Sequence, residues 1–330
     1  MSFFSSLPIK QQPPESKRNR FYQAIKVCIA IGLLVWLVVS GRIDFEALFH
    51  VKKAIPAYIV CFSLLGVGWL IQIYRWKLIT NSLGISISFA EACRMTWISQ
   101  FCGLFLPGVA AGELVRGYLV AGKVPISKLL AASTVLIDRA FGLYTLLWLG
   151  MVSSSLLLIG GPRETEHQVL IISLTSGGFI CGLQLIWFIA THRNNSRFIK
   201  KIIQMRYFEK YVDMTFVGKI KRKEITSGIL LSFFSSFLSI LAFCIIGKTV
   251  SPGTGWLPFF ILCPIVFISL ILPISPGGIG VGEATAAFIF SIFNIQNGAS
   301  MMLLYRVINM ILRLPGAFLF CCNKREKKKK

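Results

Sequence analysis

Leu272-Pro273-Ile274-Ser275-Pro276-Gly277-Gly278-Ile279-Gly280-Val281-Gly282-Glu283-Ala284 breaks an otherwise apolar stretch running from Trp256 to Ile295. Pro273, Pro276, Gly277, Gly278, Gly280 and Gly282 cannot sustain a regular helix, because proline removes a donor and clashes, and glycine loses more backbone entropy than any other residue. Unsatisfied backbone groups in hydrocarbon cost several kcal/mol each, so the unwound chain must be shielded by protein or line water. Glu283 then opens a helix through Ala284 to Phe293, where free amides attract negative charge. A plainer reading makes the stretch an interfacial loop and Glu283 an ordinary first-turn acid. A dinucleotide fingerprint is excluded: the spacing is G-x-G-x-G and no βαβ context surrounds it.

A second interruption, Leu106-Pro107-Gly108-Val109-Ala110-Ala111-Gly112-Glu113, lies within 89–119. Both read Leu-Pro, small residues, Gly-Glu and then a fresh apolar run. The first is entered from the cytoplasmic side after Tyr74 and the second from the outer side after Gly247, which predicts an inverted repeat with broken helices, a common way to build a transporter site at the midplane. Pro107 joins the prolines and glycines of the later stretch as a structural hinge.

Working outward, uninterrupted apolar runs span Tyr22 to Ser40, Pro56 to Tyr74, Leu129 to Ile159, Gln168 to Ala190, Ile225 to Gly247 and Ala299 to Phe320. Each reaches or exceeds the roughly 20 helical residues needed to cross a bilayer. The 330-residue composition agrees: 55% hydrophobic, 15% charged, mean hydropathy +0.71. The fold expected is an all-α integral membrane protein of about eight membrane helices, two of them broken or re-entrant hairpins. A soluble enzyme and a disordered chain are both excluded.

The net charge of +22 would suit a nucleic-acid binder, but its distribution does not. Residues up to Lys26 hold five bases and one acid, His192 to Glu224 ten and three, and the tail after Phe320 six and one, together 16 of the 22 net charges. Each block abuts an apolar run, as cytoplasmic flanks do. The expected layout is a basic cytoplasmic N-terminus (1–21), one polytopic domain (22–320) with a cytoplasmic loop at 192–224, and a cytoplasmic tail (321–330). That places both termini on the inner side of the plasma membrane. The nine cysteines form no C-x-x-C and the three histidines are isolated, so neither metal nor cofactor is expected.

Charges inside apolar surroundings are the candidate binding residues, since an ion at mid-bilayer costs about 2.5 kcal/mol or more and usually faces the bundle interior. Arg306, Asn309 and Arg313 recur at i, i+3 and i+7 as one polar stripe of the last run, and Arg313 alternatively snorkels to the headgroups. Asp138-Arg139 lies at mid-depth, or at the inner interface if its span begins near Phe141. Glu113 and Arg116 sit at i, i+3, where pairing with each other is the simplest expectation. Arg75, Lys77, Arg94, Lys123 and Lys128 mark inner-leaflet edges, or else gather an anionic headgroup.

With these residues the chain resembles the flippase-like transmembrane region of lysylphosphatidylglycerol synthases, the multiple peptide resistance factors, as a stand-alone member. The resemblance rests on Leu106-Pro107 through Gly112-Glu113-Leu114-Val115-Arg116-Gly117-Tyr118-Leu119, on Asp138-Arg139-Ala140-Phe141-Gly142-Leu143, on Pro276-Gly277-Gly278-Ile279-Gly280-Val281-Gly282-Glu283-Ala284, and on Tyr305-Arg306 with Leu314-Pro315-Gly316. It implies two re-entrant hairpins and movement of a lipid headgroup between leaflets. Asp138 departs from the Glu more frequent in the family. The aminoacyl-transfer domain of full synthases is absent, so lysyl transfer is not expected.

The function expected is a lipid flippase-like transporter for an anionic phospholipid or polyprenyl-phosphate-linked lipid, serving cell-envelope lipid or glycan synthesis. Arg116, Arg139 and Arg306 would neutralise phosphate, while Glu113, Asp138 and Glu283 hold the arginines or read a cationic part of the headgroup. The alternative is a membrane-embedded glycosyl- or phospho-transferase, with Asp44-Phe45-Glu46 as its metal hook, or an accessory subunit of a glycosyltransferase or lipid-modifying enzyme.

Overall fold

The computed structural model describes residues 51–104, 111–122, 128–160, 178, 222–270 and 279–320, and every regular element among them is helical. In order these are α1 (Val51–Ser82), α2 (Phe89–Gly103), α3 (Ala111–Ala121), α4 (Lys128–Gly160), α5 (Arg222–Val250), α6 (Trp256–Ser269), α7 (Val281–Ile292) and α8 (Gly298–Arg313). Helical turns continue beyond α8 to Phe320. The runs Tyr22 to Ser40 and Gln168 to Ala190 lie outside the described residues, as do Asp44-Phe45-Glu46 and the hinge residues Pro107, Pro273, Pro276, Gly277 and Gly278.

Among the described residues four helices are long and apolar enough to cross a membrane: Ala54–Ser82, Leu130–Leu156, Arg222–Val250 and Gly298–Phe320. Burial is inside-out relative to a water-soluble protein. Ile55, Ile59, Phe62, Leu70 and Tyr74 on α1, and Leu230, Phe234 and Phe237 on α5, form exposed stripes at helical spacing, whereas Arg75, Glu113, Arg116, Asp138 and Glu283 are buried. Large contiguous apolar surface outside and ionised groups inside are what a lipid solvent selects. The chain is a multi-pass membrane protein.

Each half runs long, short, short, long. Helices α1 to α4 have 32, 15, 11 and 33 residues; α5, α6 and α7 have 29, 14 and 12, and the last span has 23. At 1.5 Å per residue the short helices measure about 16 to 23 Å, less than the roughly 30 Å hydrocarbon thickness, so none crosses alone. The interruptions read in the sequence therefore become hairpins of two half-length helices.

The equivalent helices α1 and α5 pack against each other antiparallel. Cys61 Sγ donates to the Ala242 carbonyl (3.3 Å), Gly68 lies against the Ser235 carbonyl, and Arg75 Nη1 donates to Ser232 Oγ (2.6 Å). The partner numbers fall as those of α1 rise, so the halves have inverted topology. Close approach follows from the seam: Cys61, Leu65, Gly68, Gln72, Arg75 and Ile79 step by four and three residues, and Gly228, Ser232, Ser235, Ser239 and Ala242 do the same on α5. The main apolar core lies beside this seam, where Phe243 stacks on Phe290 (5.9 Å between centroids) and meets Phe267 and Tyr305 edge-on.

Candidate functional site

Among the described residues two buried ion-paired clusters stand out. In the first, Asp138 of α4 is 4% exposed and accepts from Arg75 Nε of α1 through Oδ1 (2.8 Å) and from Arg116 Nη2 of α3 through Oδ2 (2.9 Å). Arg75 also holds Ser232 of α5, so one carboxylate and two guanidiniums tie four helices together. Arg116 lies 4.5 Å over the Trp76 ring, a cation–π contact, and its Nε is buried without a hydrogen-bond partner. Gly142, one turn after Asp138, leaves room for Arg75, whose Nη1 is 3.8 Å from where a Cβ would stand.

In the second cluster Glu283 is fully buried and accepts from Arg306 Nε (2.5 Å) and Nη2 (3.2 Å) of α8. It also accepts from the Gly280 amide (2.8 Å). Gly280 has φ +81°, a left-handed conformation that glycine enters without Cβ strain, and this turns the chain so that α7 begins with Glu283 at its third residue. Its burial and pairing remove the reading of Glu283 as an ordinary interfacial acid. Arg306 lies about 5 Å along the axis from the middle of the Gly298–Phe320 span. Asp138 is about 9 Å along the axis from the middle of α4.

The same construction recurs in the first hairpin. Glu113 is again the third residue of the second short helix, and it pairs with Arg139 of the following long helix as Glu283 pairs with Arg306. Each glutamate follows a glycine pressed on the end of the preceding short helix. A Cβ on Gly112 would lie 2.8 Å from the Ser99 carbonyl and 3.2 Å from Gly103 Cα, and one on Gly282 would lie 2.6 Å from Leu270 Cδ2. The short Leu-Pro to Gly-Glu similarity is thus the trace of a repeated ion pair.

Two expectations are corrected. Glu113 and Arg116 do not pair with each other; they separate onto Arg139 and Asp138, because α4 packs across α3 and offers each a partner. Arg75, read as an edge residue, is turned inward instead. It is 5% exposed at the centre of the first cluster, since α1 continues for two turns beyond it. Sequence reasoning missed Ser232 and Trp76 as site residues and gave Arg75 only a headgroup-gathering alternative; the four-three seam is the signal that could have placed Arg75 and Ser232 inward.

Arg139 has 54% of its side chain accessible, whereas the Glu113 carboxylate it pairs with has 9%. In the ion pairs of the described residues four guanidiniums (Arg75, Arg116, Arg139 and Arg306) meet three carboxylates (Glu113, Asp138 and Glu283), an excess of positive charge.

The family described as the lysylphosphatidylglycerol synthase TM region matches residues 23–316. Among similar proteins, a UPF0104 membrane protein of Methanocaldococcus jannaschii is 25% identical over 323 residues, covering 92% of this chain and 96% of its own length. UPF0104 membrane proteins of Archaeoglobus fulgidus and Methanothermobacter thermautotrophicus are 26% and 23% identical, covering 86% and 90% of this chain and 90% of each relative.

Proposed function

Since the chain belongs to the family of the lysylphosphatidylglycerol synthase transmembrane region, we propose that it is a flippase-like transporter for an anionic lipid headgroup. The substrate class is an anionic phospholipid or a polyprenyl-phosphate-linked lipid serving the cell envelope. One observation carries this reading: among the described residues, four ion-paired guanidiniums meet only three carboxylates. A phosphodiester entering an apolar slab loses its water, and guanidinium forks replace that hydration with charge-assisted hydrogen bonds. The acids keep the arginines paired while no headgroup is present, because an uncompensated buried charge costs several kcal/mol. In this mechanism Arg306 exchanges Glu283 for phosphate and Arg139 exchanges Glu113. The inverted halves give each hairpin one such exchange, so the path opens toward one leaflet at one pair and toward the other leaflet at its counterpart.

Reconstitution into liposomes with fluorophore-labelled phosphatidylglycerol and a labelled polyprenyl-phosphate lipid, followed by membrane-impermeant quenching, tests the proposal. The native protein is expected to speed leaflet exchange of at least one of them, while Glu283→Gln and Arg306→Ala insert normally and do not. Exchange by both variants at the native rate would refute the role of the second cluster, and no exchange by the native protein would refute transport of these lipids.

A further inference from the structure

On the lipid side of the α1–α5 seam lies a groove of about 390 Å³, lined by Val67, Leu70, Ile71 and Tyr74 of α1, Leu231 of α5 and Phe89 of α2. Val67, Leu70, Tyr74 and Phe89 are exposed, so the groove opens outward, away from the ion-paired clusters. Its floor is held by the seam. Arg75 and Ser232, the chain neighbours of Tyr74 and Leu231, turn inward and hydrogen-bond at 2.6 Å, while Gly68 lets α1 approach the Ser235 carbonyl. Its end wall is set by local chemistry: Ser88 Oγ accepts from the Glu91 amide (3.3 Å) and Glu91 Oε2 from the Ser88 amide (2.8 Å), a capping box that starts α2 at Phe89. The Phe89 ring then meets Tyr74 edge-on, with 6.4 Å between centroids.

Depth along α1 matches one leaflet. Val67 stands next to the middle residue of the Ala54–Ser82 span, and Tyr74 is about 9 Å along the axis from that middle. One turn further, about 14 Å from the middle, Lys77 holds its Nζ 5.9 Å from the Tyr74 ring centroid. Half of the hydrocarbon thickness is about 15 Å, so a span centred in the bilayer puts the groove at acyl-chain depth and the ammonium at the headgroup boundary. Aromatic rings followed by a lysine are also the order in which an interfacial belt meets the headgroups. Among the described residues no carboxylate pairs with Lys77, which leaves its charge for a ligand.

We propose that the groove is a binding site for an anionic phospholipid of the leaflet at the C-terminal end of α1, one acyl chain lying along Val67 to Tyr74 and the phosphate resting on Lys77. Charge complementarity selects the occupant: a cation at headgroup level favours an anionic head over a zwitterionic one, and the apolar wall beneath it takes the tail. The volume falls within the roughly 300–1,000 Å³ of small-molecule sites. The site stands apart from both ion-paired clusters and holds whether or not the chain moves lipid between leaflets.

Native mass spectrometry of the purified full chain, released from detergent after titration with phosphatidylglycerol or phosphatidylcholine of identical acyl chains, tests the site. The native protein should prefer phosphatidylglycerol by about fivefold, the contribution of one basic residue near an anionic surface. Lys77→Gln should remove that preference without changing phosphatidylcholine binding, and Lys77→Arg should keep it. Leu70→Trp fills the groove from an exposed position and should leave one bound lipid fewer with either probe. An undiminished preference in Lys77→Gln, or native lipid numbers in Leu70→Trp, would overturn the site. A dimer in the native spectra that Leu70→Trp splits would assign the groove to a second copy of the chain and overturn it equally.

Discussion

Replacing Asp138 with Asn keeps the shape of the first cluster and removes its only bridging charge. Asp138, Arg75 and Arg116 are 4%, 5% and 5% exposed, so the two guanidiniums have little water to replace what is lost. Two charge-assisted hydrogen bonds, at 2.8 and 2.9 Å, become neutral ones or disappear. Such bonds contribute about 1.5–3 kcal/mol each, and removing one partner of a buried pair costs about 3–5 kcal/mol, so about 4 kcal/mol is the expected penalty. Against a total stability of about 5–15 kcal/mol this is a large fraction. The readout is thermal unfolding in detergent with a thiol-reactive dye, since Cys61, Cys244 and Cys263 are fully buried and become reactive only when the bundle opens. The midpoint should fall by about 8 °C or more. Adding Arg75→Met to Asp138→Asn should recover part of the loss by removing one of the two stranded cations. An Asp138→Asn protein as stable as the native one would refute the claim that the cluster is dry. So would a double variant less stable than the single one.

Arg75→Lys should destabilise by about 1.5–3 kcal/mol, because a single ammonium cannot reproduce the fork that binds Asp138 through Nε and Ser232 through Nη1; the same dye assay reads it. Gly316→Ala should loosen the contact of α2 with the end of α8 at a cost of about 1–3 kcal/mol, since the new Cβ meets a backbone carbonyl that cannot rotate away. Faster alkylation of the half-buried Cys102 on α2 in the folded variant would report the loosening, and native rates would refute it.

The long helices were legible because each carries an apolar run of bilayer length, and their observed bounds extend the runs at Pro56 to Tyr74, Leu129 to Ile159 and Ile225 to Gly247 by between one and eight residues at an end. The hairpins were legible because prolines and glycines cluster there, whereas Pro56 and Pro264, standing singly, are carried inside α1 and α6. Glu283 and Arg306 stood out for the same local reason, as ions in apolar sequence. Their partnership did not, because 23 residues separate them and the contact depends on how α7 lies against α8.

The amino-acid sequence by itself determined that this chain is a helical membrane protein interrupted twice, for period, length and backbone chemistry are properties of neighbouring residues. Only the tertiary structure decided which charges meet. A guanidinium seven residues from a helix end suits either a headgroup or a buried carboxylate, and for Arg75 the choice was made by Asp138, 63 residues away, once α1, α4 and α5 had packed. In a low-dielectric interior the winning partner is set by which ions share the space, a quantity that sequence spacing does not encode.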